Sequence, residues 1–245
     1  MEDYAALIED RTPLRPARLP LPGGDVRTVS DRIIGVSSSA PVMFVVGLGS
    51  SESATVQRLV ADYGGPLVIT ELDVVTVALA AAALATLRGH RIGVQRGGIV
   101  VTDIEAAPRL GPILFAVSGR SVTGWHERDA SAHPLGRVVS ADDVLIDLAG
   151  TAPPGIASRR TLNLPTVLFD YGALVLPGLI SALCRSGKAA LTLDVLASCA
   201  RAVALLTSAD GVLPDLSHRL LTAAVARQVS RTLAERHPPG SHPQH

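Results

Sequence analysis

The sequence predicts an α/β protein with a doubly wound parallel sheet, C-terminal helices and a short N-terminal arm. Three observations carry that expectation. Apolar residues make up 47% of the 245-residue chain but aromatics only 3%, so the core must be built from Ala, Val and Leu. That composition suits helices packed on a sheet better than an aromatic-rich sandwich. The apolar runs are short and lack polar alternation, which marks strands covered on both faces. Beyond residue 190, apolar residues recur at spacings of three and four, which marks amphipathic helices.

The elements follow in order. RTPLRPARLPLPGG is rich in proline and glycine and predicts an extended arm over residues 1–39. APVMFVV (40–46) predicts a buried strand by length and β-branching. GLGSSESATVQRLVADYGG predicts a glycine turn, a serine cap and a helix stopped by Gly64 and Gly65. PLVITELD predicts the next strand, and Val74 to Leu87 a very apolar helix. At about 14 residues that helix is too short for a bilayer, which takes roughly 20, so it must be buried in the domain or in a homo-oligomer. Strands are then expected at GGIVVTD, PILFAVSG, SVTGW, VLIDLAG and PTVLFDYG. TLDVLASCARAVALLTSA and LSHRLLTAAVARQVSRTLAE predict terminal helices, and 236–245 a disordered tail.

Composition excludes some functions. Net charge is zero and the basic residues are scattered, so no basic patch for nucleic acid is expected. The opening segment is charged and lacks the apolar region of a signal peptide, so no membrane partner is expected. Cys184 and Cys199 have neither the spacing nor the neighbours of a zinc site or disulfide framework. A reduced cytoplasm is the expected setting. Lys188 is the only lysine, so a mechanism that needs one has a single candidate.

Four places could carry chemistry. VVGLGSSES imitates a Rossmann fingerprint, with Gly47 and Gly49 before a helix and Asp73 at a later strand end. Glu52 stands where a third glycine belongs, and its carboxylate would repel phosphate, so an ordinary glycine turn is the preferred reading. TDIEAAPRLG follows a strand where a phosphate loop would lie, but Thr102, Asp103 and Glu105 replace the glycines. Two carboxylates there would face any pyrophosphate. In VTGWHERDASAHP, Trp125 and His126 occupy a strand end that in this architecture faces an adenosine ribose. Trp125 would stack on an adenine or cover the sheet edge, and the cover is preferred. His126, His133, Glu127 and Asp129 have no helix-borne ligand spacing, so no metal is expected. The fourth place is Asp147 to Gly150 with Asp170, Tyr171 and Gly172, polar and glycine residues read as lying at strand ends, where ligands bind.

Taken in order, these segments resemble the malic enzymes. ATVQRLVADYGG (54–65) is similar to the family's TV.RL.P.FGG helix, and DVVTVALAAAALATLRG (73–89) to its GTA-containing helix before the nucleotide fold. ADDVLIDLAG (141–150) is similar to ADVFIGVS, VLPGLISAL (175–183) to VFPGIFRGAL, and the terminal helices match in pattern. The resemblance covers residues 40–235. It implies a remnant of a substrate-type α/β domain over 40–73, a Rossmann-like domain of the NAD-binding type over 74–235, and NAD or NADP as the cofactor class.

The departures from the family bear on activity. No YTP motif surrounds Tyr4, Tyr63 or Tyr171, and Lys188 falls near the terminal helices. By the same spacing the family's metal ligands fall on Ile69, Thr70 and Leu72, with only Glu71 and Asp73 beside them, and the NPT asparagine falls on Gly172. Apolar side chains cannot hold Mg²⁺ or Mn²⁺, which need oxygen. The resemblance therefore implies a ligand-binding or protein-interaction module without malate oxidative decarboxylation. The alternative is an active NAD(P)-dependent oxidoreductase, or repurposed acid/base chemistry by Asp147, Asp170, Tyr171 or His126.

Overall fold

A computed structural model describes residues 3–236, apart from 22, 24, 37–39, 90–96, 141, 154, 155, 157–159, 188 and 189. Lys188 and the tail histidines therefore lie outside the described residues, as does the expected disorder of 237–245. The described chain is mixed α/β, and every strand pair in it is parallel.

The first 39 residues are more than an extended arm. Helix α1 (Tyr4–Arg11) starts because the Asp3 carboxylate accepts from the Ala5 and Ala6 N–H groups. Asp25 does the same for Thr28 at the start of α2 (Val26–Ile34). Such caps satisfy helix-terminal donors that otherwise lack partners. The extended expectation holds only for the proline-rich stretch between the helices.

Strands β1 (Val42–Val45) and β2 (Leu67–Thr70) form a two-stranded sheet, joined by α3 (Ser50–Asp62). Val56 and Val60 of α3 pack with Val29 and Ile33 of α2 over Val45 and Val68. Strand β2 runs directly into α4 (Glu71–Gly89). The stretch TELD makes the junction: Asp73 Oδ2 accepts from Thr70 N at 2.8 Å, and Asp73 N donates to Thr70 Oγ1 at 3.4 Å. This reciprocal pattern is a capping box.

Helix α4 is 19 residues, longer than the 14 expected, because its first turn includes the capping residues. Its length and composition suffice to cross a membrane, but 78% of its apolar window is buried. Its alanines let neighbouring helices approach closely. The same test is met by α7 (Leu168–Ser186), 67% buried. Helix α4 packs on α7, on α8 (Leu193–Leu206) and on α5 (Leu110–Ser118), while α9 (Leu221–Arg236) closes over α7 and α8. Each aliphatic side chain so buried contributes about 1.5–3 kcal/mol.

The second sheet has the order β4-β3-β5-β6, from β3 (Ile99–Thr102), β4 (Val122–Trp125), β5 (Val144–Asp147) and β6 (Thr161–Asn163). The chain steps from β3 outward to β4, then returns past β3 to β5. The strand order therefore reverses between β3 and β5, as in a doubly wound fold; Ile99, Val101, Val144 and Ile146 face the long helices, while Val100 and Leu145 on the other face pack with Trp125, the single-turn α6 (Leu135–Val138) and loop residues.

Two expected strands are helical. PILFAVSG belongs to α5, whose Leu110, Ile113 and Leu114 are buried while Phe115 is exposed. Pro112 lies in its first turn, where a missing N–H costs nothing, and Gly119 ends it with its N–H donating to Phe115 O at 2.8 Å. PTVLFDYG leads into α7, whose buried run continues from Gly172 to Leu183. Short apolar runs read alike in buried strands and buried helices. Strand β6 was not anticipated, since TLN carries too little apolar pattern.

Candidate functional site

The four parallel strands end at one edge, and the order reversal between β3 and β5 is where this architecture opens a ligand crevice. There the strand ends and the loop after β5 hydrogen-bond to one another. Thr102, fully buried, donates its Oγ1–H to Asp147 Oδ1 at 2.7 Å. Ala149 N donates to Thr102 Oγ1, while Thr151 N and Ala152 N donate to the two oxygens of Asp147 at 3.2 and 2.9 Å. The loop holding Gly150 is thus folded back onto the strand ends.

The turn after β3 is equally filled. Asp103 has left-handed backbone (φ 48°) and leads into a single turn over Ile104–Ala106. A Cβ at Gly111, in the first turn of α5, would meet Ile104 Cδ1 at 3.1 Å, and one at Gly124 on β4 would meet Ile104 Cγ2 at 3.0 Å. Both glycines make room for Ile104, which packs on the helix start that would otherwise face a phosphate. The carboxylates of Asp103 and Glu105 are exposed.

Trp125 is buried with Val100, Leu135 and Leu145, and its Nε1–H donates to His133 O at 2.8 Å. It therefore packs over one face of the sheet, against the two central strands, rather than over the sheet edge. His126 Nδ1 lies 3.1 Å from Glu105 Oε2. Glu127 and Asp129 form a separate short turn beyond it.

Asp170, Tyr171 and Gly172 do not lie at a strand end. They occupy the first turns of α7 because the preceding segment is not a strand. Asp170 is exposed. Tyr171 is half-buried, and burial pushes its phenol above the ordinary value, which leaves it protonated at neutral pH and poorly matched to a general base. Gly172 is a packing residue: a Cβ there would lie 2.4 Å from the Tyr4 hydroxyl. Tyr4 stacks edge-on against Phe44 and donates to Glu71 Oε1 at 2.9 Å. The structure therefore gathers Thr102, Asp103, Trp125, His126, Asp147 and Gly150 along one sheet edge, and sets the α7 trio apart.

The glycine turn after β1 belongs to the small sheet. At the start of α3, Glu52 Oε2 accepts from Gly49 N at 2.8 Å, so a carboxylate of the chain already sits at that helix N-terminus.

An open cleft of about 70 Å³ lies between α3, the start of α4 and the start of α5, lined by Ser50, Ser53, Gln57, Thr70, Asp73 and Arg109 among others. Arg109, at the start of α5, pairs with Asp73 Oδ1 at 2.6 Å and donates to Gln57 Oε1 at 3.1 Å. Asp73 also accepts from Gln57 Nε2 at 2.7 Å and from the Thr70 hydroxyl at 2.9 Å. Ser53 is 3% exposed, and its Oγ has no hydrogen-bond partner among the described residues. Sequence reasoning missed Arg109, Gln57 and Ser53. Only T-x-x-D was available as a signal, and it marks a helix start rather than a site.

No protein-family model matches the chain, and no curated protein sequence does. Solved structures do. The NAD-dependent malic enzyme of Thermotoga maritima superposes with a TM-score of 0.71 at 13% identity, over 92% of this chain and 76% of that one. The malic enzyme of Pyrococcus horikoshii gives 0.68 at 11% identity, over 95% and 70%, and that of Entamoeba histolytica 0.64 at 11%, over 86% and 58%. The chain has a malic-enzyme-like fold, strongly divergent in sequence.

Proposed function

We propose that this chain is a ligand-binding or protein-interaction module on a malic-enzyme-like fold, without malate oxidative decarboxylation. The carrying observation is the closed crevice, where Thr102, Asp147 and their loop hydrogen-bond to one another and Ile104 covers the first turn of α5. On this reading a dinucleotide of the NAD or NADP class would have to displace them, and Asp103 and Glu105 would oppose its phosphates.

The metal of the related enzymes fits no better at the place the resemblance assigns to it. Ile69 and Leu72 offer no oxygen side chain, Glu71 accepts from Tyr4, and Asp73 is saturated by Arg109, Gln57 and Thr70. The reaction needs a base, an acid, an electrophile and a hydride acceptor held together. The small cleft beside Arg109 and Ser53 is the place for a compact ligand. We place the chain in the cytoplasm, where Cys184 and buried Cys199 stay as free thiols, and expect a homo-oligomer, which analytical ultracentrifugation reads directly.

Calorimetric titration with NAD⁺ and NADP⁺, beside an assay of malate turnover, tests the reading. Binding weaker than about 1 mM (about 4 kcal/mol) and no turnover is the expected result. Micromolar binding with turnover would establish the alternative, an active oxidoreductase.

A further inference from the structure

We propose that Asp103, Glu105 and His126 form a binding site for one divalent transition-metal ion of the Mn²⁺ or Zn²⁺ class. The inference is independent of the functional reading above. It concerns neither the cleft at Asp73 nor the positions that the family resemblance assigns to a metal.

Strand pairing builds the site. Thr102 lies opposite Trp125 in the parallel register of β3 and β4, so the next residues, Asp103 and His126, leave the sheet side by side. The Asp103 N–H donates to Trp125 O at 3.0 Å and holds the two strand ends together. The single turn over Ile104–Ala106 then carries Glu105 back, with Oε2 3.1 Å from His126 Nδ1. One ligand atom from each of the three residues lies within 4.8 Å of the other two. Ligands about 2.1 Å from one ion stand about 3.0–3.4 Å apart in octahedral or tetrahedral geometry, so side-chain rotations that bring the atoms up to about 1.5 Å closer complete the set. Glu105 and Asp103 are exposed, and their side chains can turn at little cost.

The charge balance favours a cation. Two carboxylates face a histidine that can ligate in its neutral form, and no ion pair holds the Asp103 carboxylate among the described residues. An imidazole beside two carboxylates suits Mn²⁺ or Zn²⁺ better than Ca²⁺ or Mg²⁺, which take oxygen alone. Three protein ligands leave the remaining coordination positions to water. The sequence conceals the set because its ligands come from two segments that only β-pairing joins.

Mn²⁺ binding to the chelator-treated full chain, followed by electron paramagnetic resonance, tests the site, with Zn²⁺ titration alongside. The expected result is one Mn²⁺ per chain with a dissociation constant below about 100 µM. Glu105→Gln and His126→Ala should each weaken it at least about tenfold, without changing the metal-free melting temperature. Glu105 is exposed, so its variant keeps the fold. Replacing His237, His242 and His245 by alanine should leave binding intact. The proposal is overturned if no ion binds at 1 mM, if Glu105→Gln binds as the parent does, or if the tail replacement abolishes binding.

Discussion

Two buried aspartates sit at the C-terminal ends of parallel strands in this molecule, and they are used in opposite ways. Asp147, at the end of β5, takes all its donors from the neighbouring strand and from the loop that follows it. Asp73, just past β2, takes four donors from three residues: Thr70 supplies two, and Gln57 on α3 and Arg109 at the start of α5 one each. The two loop donors to Asp147 fold the loop back onto the strand ends. The Gln57 and Arg109 donors to Asp73 tie α3 and the start of α5 to the start of α4 around the cleft.

Substitutions should separate the two. The largest effect is expected for Asp73→Ala, which strands Arg109 and the Thr70 N–H and should cost about 3 kcal/mol, the low end for a broken buried pair because Arg109 keeps contact with water. Asp147→Ala leaves the buried Thr102 hydroxyl and two part-buried loop N–H groups without their acceptor, with no charged partner stranded, and should cost about 2 kcal/mol. Urea denaturation of both variants measures the difference, and the reverse ranking would break the comparison. Ile104→Ala removes the cover over Gly111 and Gly124 and should cost about 1 kcal/mol. It should not create NAD⁺ affinity, because Thr102 and Asp147 remain joined. Ser53→Ala should be neutral within about 0.5 kcal/mol in the absence of ligand, since its hydroxyl has no partner to lose. A destabilisation above that would mean that an ordered group already fills the cleft.

Much of this architecture was legible in the sequence, for reasons that individual elements make plain. Helix α4 announced itself by a long apolar run, and β1, β2, β3 and β5 by short β-branched ones. The repelling role of Glu52 at a helix start followed from electrostatics alone, and the structure shows that carboxylate capping Gly49. Helix α5 was hidden because its apolar face and its ends together read as one uninterrupted hydrophobic run. The start of α7 was hidden because Val167 caps it without a side-chain hydrogen bond, which leaves no cap signal. Asp3 and Asp25 did carry such signals, outweighed by the prolines between them. The site was legible in its composition but not in its pairings. Thr102 with Asp147, Arg109 with Asp73, and Glu105 with His126 are joined by the fold across long stretches of chain.

The central claim is that the chain fills its own dinucleotide crevice. A crystal structure determined at millimolar NAD⁺ tests it most directly. The account predicts Thr102 still bonded to Asp147, with Ile104 still against Gly111 and Gly124 and no ordered nucleotide at that edge. A diphosphate ordered against the first turn of α5, with Ile104 swung away, would contradict it.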